Sequence, residues 1–155
     1  MPSRTCGTCG SPYVGFVCDH CGALASAPTS PEQERQALDE YRALVARSER
    51  QQQVQLLKSG FLPDDSAQLI NAGLHCVSLI DSNEVIASRS DAAVGRLEAV
   101  AIKLDLLPQD GEIRRANAAF RAKIGDYRAK ARRDTFLGLA LMAIVATGIG
   151  YLVFG

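Results

Sequence analysis

Two Cys-x-x-Cys-Gly pairs stand near the front of the chain in "CGTCGSPYVGFVCDHCG", residues 6–22, with eight residues between Cys9 and Cys18. Each pair brings two thiolates onto one side of a tight loop. Two such loops facing each other supply four sulfurs at the corners of a tetrahedron, the coordination that structural zinc prefers, with Zn–S near ~2.3 Å. Cys6, Cys9, Cys18 and Cys21 are therefore the expected ligands of a structural Zn²⁺. A site with all four positions filled by protein has no place for a reactive water, so it holds structure and does no catalysis. Gly10 and Gly22 follow the pairs. They are expected at positive φ, turning the backbone so that amide groups face the sulfurs. Tyr13, Val14, Phe16 and Val17 are the apolar cover available to this head. So small a unit cannot fold on its own burial, and metal binding is worth roughly 10–16 kcal/mol in comparable zinc peptides.

The other readings of these cysteines are two disulfides, four free thiols, or iron in place of zinc. The fifth cysteine, Cys76, lies in the apolar run "LHCVSLI". An odd count with tight pairs reads poorly as a disulfide framework and well as a metal site in a reducing compartment. His20, between Cys18 and Cys21, reads as an exposed knuckle residue. His75 and Cys76, on an apolar helix, read as core or core-edge residues and not as a catalytic Cys–His pair, because adjacent helix positions point about 100° apart and do not pair easily. Polar and Gly residues stand where a secretory signal would have its apolar run, and Pro2 excludes a myristoylation signal, so neither is expected.

On these residues the stretch resembles the short zinc-ribbon modules common at the ends of bacterial and archaeal proteins, which carry Cys-x-x-Cys-Gly twice and an aromatic near the third Cys. The resemblance covers about 20 residues and implies zinc ligation by the same four cysteines. It departs at Phe16, two residues before Cys18 where the modules more often have the aromatic directly before it. Such modules serve many kinds of protein and specify function poorly.

The expected fold class is mainly α: a small N-terminal zinc ribbon (1–24), a linker (25–31), a four-helix cytosolic region (32–134) and a transmembrane anchor (135–155). The linker "ASAPTSP" reads as a flexible joint. Ser30-Pro31-Glu32-Gln33 predicts a helix start, with Ser30 as cap and Gln33 reaching back to the cap backbone. This first helix carries Leu38, Tyr41, Leu44, Val45, Leu56 and Leu57. It is interrupted by Gln51–Gln53 and ends at Gly60, before Pro63. A second helix from Asp64 or Asp65, with Leu69, Ile70, Leu74, Val77 and Ile80, is expected to be the most buried. A third follows Asp81-Ser82-Asn83, capped at Ser88 or Ser90, with Val94, Leu97, Val100, Ala101, Leu104 and Leu107 at three- and four-residue spacing. The fourth runs from about Glu112 through Ile113, Phe120, Ile124 and Tyr127, and no Pro prevents it from continuing into the tail. Four such helices suit a small bundle.

"FLGLALMAIVATGIGYLVF", residues 136–154, contains no charged residue. Its 19 residues extend about 28 Å as a helix, close to a ~30 Å hydrocarbon core. Ten of them are Leu, Ile, Val or Phe, favouring insertion by about 3–6 kcal/mol. Charge is distributed unevenly ahead of it. Residues 31–110 carry 8 basic and 13 acidic side chains, net −5, and residues 111–134 carry 8 basic and 3 acidic, net +5. The basic neck, with Arg121, Lys123, Arg128, Lys130, Arg132 and Arg133, is expected to stay on the cytoplasmic side. The layout resembles a single-pass, tail-anchored protein with its N-terminal bulk cytoplasmic, and the ribbon style leans towards a bacterial inner membrane. Ala146 and Gly150 form a small-xxx-small pair that permits a homo-oligomer.

The function expected from this layout is that of a non-enzymatic membrane-tethered adaptor or scaffold, whose zinc ribbon and helical domain bind a protein partner at the cytosolic face. The sequence offers no convincing set of acid, base and nucleophile. The alternative is a membrane-tethered nucleic-acid or ribosome-binding protein. Nucleic acid is disfavoured as a partner because phosphate binding needs clustered Lys and Arg, and the head has only Arg4. Lipid headgroups account better for the neck.

Overall fold

The computed structural model describes residues 4–81 and 88–154, with side chains described except at 4, 139–141 and 143–154. The described residues form two short strands, β1 (Arg4–Thr5) and β2 (Pro12–Tyr13), then α1 (Pro31–Arg47), α2 (Arg50–Ser59), α3 (Ser66–Leu79), α4 (Ser88–Asp105) and α5 (Gly111–Phe154). The strands pair antiparallel with Arg4 opposite Tyr13 and Thr5 opposite Pro12, and an isolated bridge joins Val17 to Leu24.

The start of α1 follows the sequence in most respects. Ser30 is extended and its Oγ accepts the Gln33 N–H, with Pro31 at the first position. Gln33 does not return to the cap backbone, however. Its Oε1 accepts from the N–H (2.8 Å) and hydroxyl (2.9 Å) of Thr29, one residue earlier.

The expected single helix over residues 31–60 is two helices, which makes five helices in place of four. The break is at Ser48, whose backbone is extended and whose N–H closes on Leu44 and Val45 carbonyls. Its hydroxyl donates to the Leu44 carbonyl at 2.7 Å. Gln53 then donates its side-chain amide to the Val45 and Ser48 carbonyls at 3.0 and 2.9 Å. The glutamine run therefore terminates a helix by satisfying carbonyls that have no intrahelical donor. The reversal lets Leu56 and Leu57 bury beside Leu38, Tyr41, Leu44 and Val45.

Asp65 caps α3 through the Gln68 N–H at 3.0 Å. From α1, the buried Glu34 accepts the Asp64 and Asp65 N–H groups at 2.5 and 2.8 Å. Leu74 departs from expectation: it is 54 % exposed, while Leu69, Ala72, Gly73 and Cys76 form the inward face of α3. The most buried helix is α4, which packs against α2, α3 and α5. Its Ala93, Leu97, Val100 and Leu104 have no exposed surface. Three contacting neighbours demand a wide apolar face, and small residues at Ala92, Ala93 and Ala101 let them approach. The Ser82-Asn83 part of the expected turn before α4 lies outside the described residues.

The α5 backbone continues as one helix to Phe154. Among the described residues no helix is long and apolar enough to cross a membrane. Most of the side chains on which the transmembrane expectation rests, 139–141 and 143–154, lie outside the described ones.

Candidate metal centre

The two cysteine loops repeat one hydrogen-bond pattern. Cys6 N–H donates to the Ser11 carbonyl (2.9 Å) and Gly10 N–H to the Cys6 carbonyl (2.8 Å). Cys18 N–H donates to the Ala23 carbonyl (3.0 Å) and Gly22 N–H to the Cys18 carbonyl (2.9 Å). Gly10 and Gly22 close the loops at φ 74° and 71°, in the left-handed region that side chains with a Cβ rarely adopt. At Gly22 a side chain is excluded twice, since a Cβ there would lie 2.8 Å from Leu56 Cδ2.

The loops face each other, and the four Sγ atoms of Cys6, Cys9, Cys18 and Cys21 all lie within 4.8 Å of one another. Cys6 Sγ is 3.8 Å from Cys21 Sγ, and Cys9 Sγ is 3.6 Å from Cys18 Sγ. Tetrahedral ligands at ~2.3 Å from an ion stand ~3.8 Å apart, so the donor set fits a tetrahedral thiophilic metal. No pair among them is a disulfide. The surroundings also favour thiolate. Backbone amides of Thr8 and Cys9 hold the Cys6 thiol down to about 6. The Ser11 amide lowers that of Cys9. Burial acts the other way at Cys21 and pushes it up to about 12. These four could hold a metal ion, as the sequence predicts. His20 is exposed in the knuckle. Cys76 is buried in α3, its thiol pushed up to about 11 by burial, and His75 is half-buried beside it.

The knuckle also touches the helices directly, beyond the connection through residues 25–31. Glu40 of α1 accepts the backbone N–H groups of Phe16 (2.8 Å) and Val17 (3.3 Å) through Oε2. The Ser59 hydroxyl of α2 lies between the Gln55 carbonyl (2.8 Å) and the Cys21 carbonyl (3.1 Å), sharing its one proton between them, and Arg47 pairs with Asp19. Tyr13 donates its hydroxyl to the Ala25 carbonyl at 2.8 Å, and the Ala25 N–H returns to Phe16. Val17 enters an apolar cluster with Ala37, Tyr41, Leu44, Val45 and Leu56. Burying such a side chain is worth about 1.5–3 kcal/mol. Of the four apolar residues in the loop, Tyr13 and Val17 turn inward, Phe16 is half-buried and Val14 is 85 % exposed.

Beneath this contact, Tyr41 donates to the Leu56 carbonyl at 2.8 Å, and its ring carries the Arg96 guanidinium. Arg96 in turn donates to the Gly60 carbonyl at 2.9 Å and to the Phe61 carbonyl. It thereby closes the C-terminal end of α2 from α4. Glu40, Ser59 and Arg96 have no sequence signal. Each is an ordinary polar residue at a helical position, and its role depends on a segment 20 to 40 positions away. No family model, curated protein or solved structure matches this chain.

Proposed function

We propose that this chain is a non-enzymatic adaptor held at a membrane by its C-terminal helix, with a zinc-bound ribbon and helical bundle presented to the cytosol for a protein partner. The observation that carries the reading is the closed four-cysteine centre fastened to α1 and α2. Zinc, when bound there, supplies a rigid tetrahedral crosslink and leaves no coordination position for a substrate. The chain's own residues do the rest. Gly10 and Gly22 shape the loops, Glu40 fixes the knuckle's orientation, and Val17 anchors it.

Val14 is the consequence of that anchoring. Val14 follows the last residue of β2, and with Tyr13 and Val17 turned inward on either side it projects from the loop. An apolar tip on a rigid base loses little conformational entropy on association. The membrane part rests on the uncharged stretch 136–154, on the basic neck before it, and on a backbone that enters this stretch without a helix break.

The test uses the full chain in native membranes. A photocrosslinking amino acid at Val14 should capture one defined protein, and Val14→Asp should abolish competition for it. The protein should resist alkaline carbonate extraction. Capture of nucleic acid in place of protein, with loss at moderate salt, would establish the nucleic-acid reading. Release by carbonate would end the membrane tether.

A further inference from the structure

Between α4 and α5 lies an open cleft of about 520 Å³. Ile102 and Ile124 line it together with Gly125, Arg121, Arg128 and Arg132, and Glu98 is its acidic member. On α5 the positions 121, 125, 128, 132 and 136 recur at three and four residues, so they share one side of the helix. That side reads as charge, gap, charge, charge and then Phe136, which is 74 % exposed. The gap is Gly125, where an added Cβ would meet nothing within 4 Å. Ile102 is 60 % exposed, so the apolar part of the cleft lies open.

The guanidinium groups differ in how they are held. Arg128 pairs with Glu98, and Arg121 pairs with Asp105 at the rim. Arg132 makes no ion pair among the described residues. Three cations against Glu98 leave the cleft at net +2, with Asp105 offsetting one from outside. Each guanidinium has five N–H donors in a planar fork that matches a phosphate. Arg132 stands one turn, about 6 Å, before Phe136, where the uncharged stretch begins.

We infer that this cleft binds the headgroup of an anionic phospholipid, with the phosphate against Arg128 and Arg132, the distal end of the headgroup over Ile102 and Gly125, and the acyl chains leaving past Phe136. The inference rests on the membrane reading above and adds to it a specific lipid site. A phosphate at this height is what the headgroup layer supplies, since the uncharged stretch starts one turn beyond Arg132. An acidic peptide could match the charge, but would leave unexplained the exposed Phe136 one turn beyond Arg132, where the uncharged stretch begins.

The experiment uses full-length protein reconstituted into phosphatidylcholine vesicles containing one fifth phosphatidylglycerol, then extracted in mild neutral detergent. Co-purifying lipids are quantified by mass spectrometry. Wild type should enrich phosphatidylglycerol, and Arg132→Gln should lower that enrichment about fivefold, the ratio given by ~1 kcal/mol per basic residue at an anionic surface. Gly125→Leu fills the cleft without changing charge and should lower it as much. Arg133→Gln removes the same charge outside the cleft and should leave most of the enrichment. Equal loss in Arg132→Gln and Arg133→Gln, or full enrichment in Gly125→Leu, overturns the site in favour of diffuse attraction. Unchanged lipid ratios with a dimer dispersed by Gly125→Leu overturn it in favour of a second copy. Carbonate resistance of wild type, measured in parallel, separates failure of the cleft from failure of the membrane tether: a resistant protein without enrichment refutes the cleft alone.

Discussion

The guanidinium carbon of Arg96 lies 4.5 Å above the centre of the Tyr41 ring. This stacking joins α4 to α1, and the same guanidinium closes α2 through the Gly60 and Phe61 carbonyls. Arg96 is 6 % exposed, so its charge is compensated by carbonyl dipoles and the aromatic face rather than by water. Replacing it with Lys keeps the charge and loses the planar fork. Hydrogen bonds to charged groups are worth about 1.5–3 kcal/mol, so Arg96→Lys should destabilise by that amount in urea denaturation. An unchanged midpoint would show the stacking to be incidental.

Glu40 couples the metal centre to the bundle. Glu40→Ala leaves the Phe16 and Val17 amides without their acceptor. If docking and metal binding are linked, metal affinity should fall about tenfold, the equivalent of ~1.4 kcal/mol. Competition with a chromophoric chelator measures it. Glu40→Gln, which retains a carbonyl acceptor, should recover part of the loss. Equal affinity in all three proteins would mean that the knuckle binds metal independently of its seat.

Metal removal should affect one cluster before the other. Without its crosslink the knuckle keeps only the small cluster of Tyr13 with Cys6 and Cys18, and Val17 leaves Tyr41, Leu44, Val45 and Leu56 uncovered. The main core, around Leu69, Leu97, Leu104 and Phe120, contains no knuckle residue. Chelation, or the double change Cys6→Ser and Cys9→Ser, should raise binding of a hydrophobic dye while far-ultraviolet helicity changes little. Membrane association should persist. Wholesale loss of helicity would refute this division.

Gly73 and Phe120 set the spacing of α3 on α5. A Cβ at Gly73 would stand 2.4 Å from the Phe120 ring. Ala in place of Gly raises helix propensity by up to about 1 kcal/mol, and overpacking costs about 1–3 kcal/mol. Both helices are fixed by further contacts with α4, so the overpacking term should win and Gly73→Ala should lower Tm. A higher Tm would show that the ring moves aside freely.

His75 should make stability fall in mild acid. Burial, with Arg42 and Arg96 nearby, lowers its affinity for a proton in the folded chain. The unfolded chain, titrating near ~6.5, binds that proton more readily. The contribution is therefore complete above that value and is lost as pH falls below it. The Tm difference between pH 7.5 and pH 5.5 should be smaller in His75→Gln than in wild type. The same difference in both proteins would assign the acid sensitivity to other groups.

Short-range chemistry was readable in the residues. The Cys-x-x-Cys-Gly spacing identified the four thiols and the left-handed Gly10 and Gly22, though not Gly15, because a two-residue loop leaves the chain few ways to converge its sulfurs. Ser30 and the Asp64-Asp65 pair announced helix starts, since a cap bonds to an amide only three positions on. The stripes on α1, α2 and α4 announced the core by periodicity alone. Leu74 was misplaced because the same periodicity does not say which edge of a stripe finds a neighbour.

What the sequence determined by itself was therefore local: a cluster of four sulfurs, helical segments with their caps, and an uncharged end behind a basic neck. Only the tertiary structure decided that α1 and α2 separate at Ser48, that the knuckle sits on them through Glu40 and Val17, and that Arg96 closes the joint. The physical reason is reach. Caps and cysteine loops act across three or four residues, whereas these later contacts join positions dozens of residues apart and exist only once the packed chain brings them together.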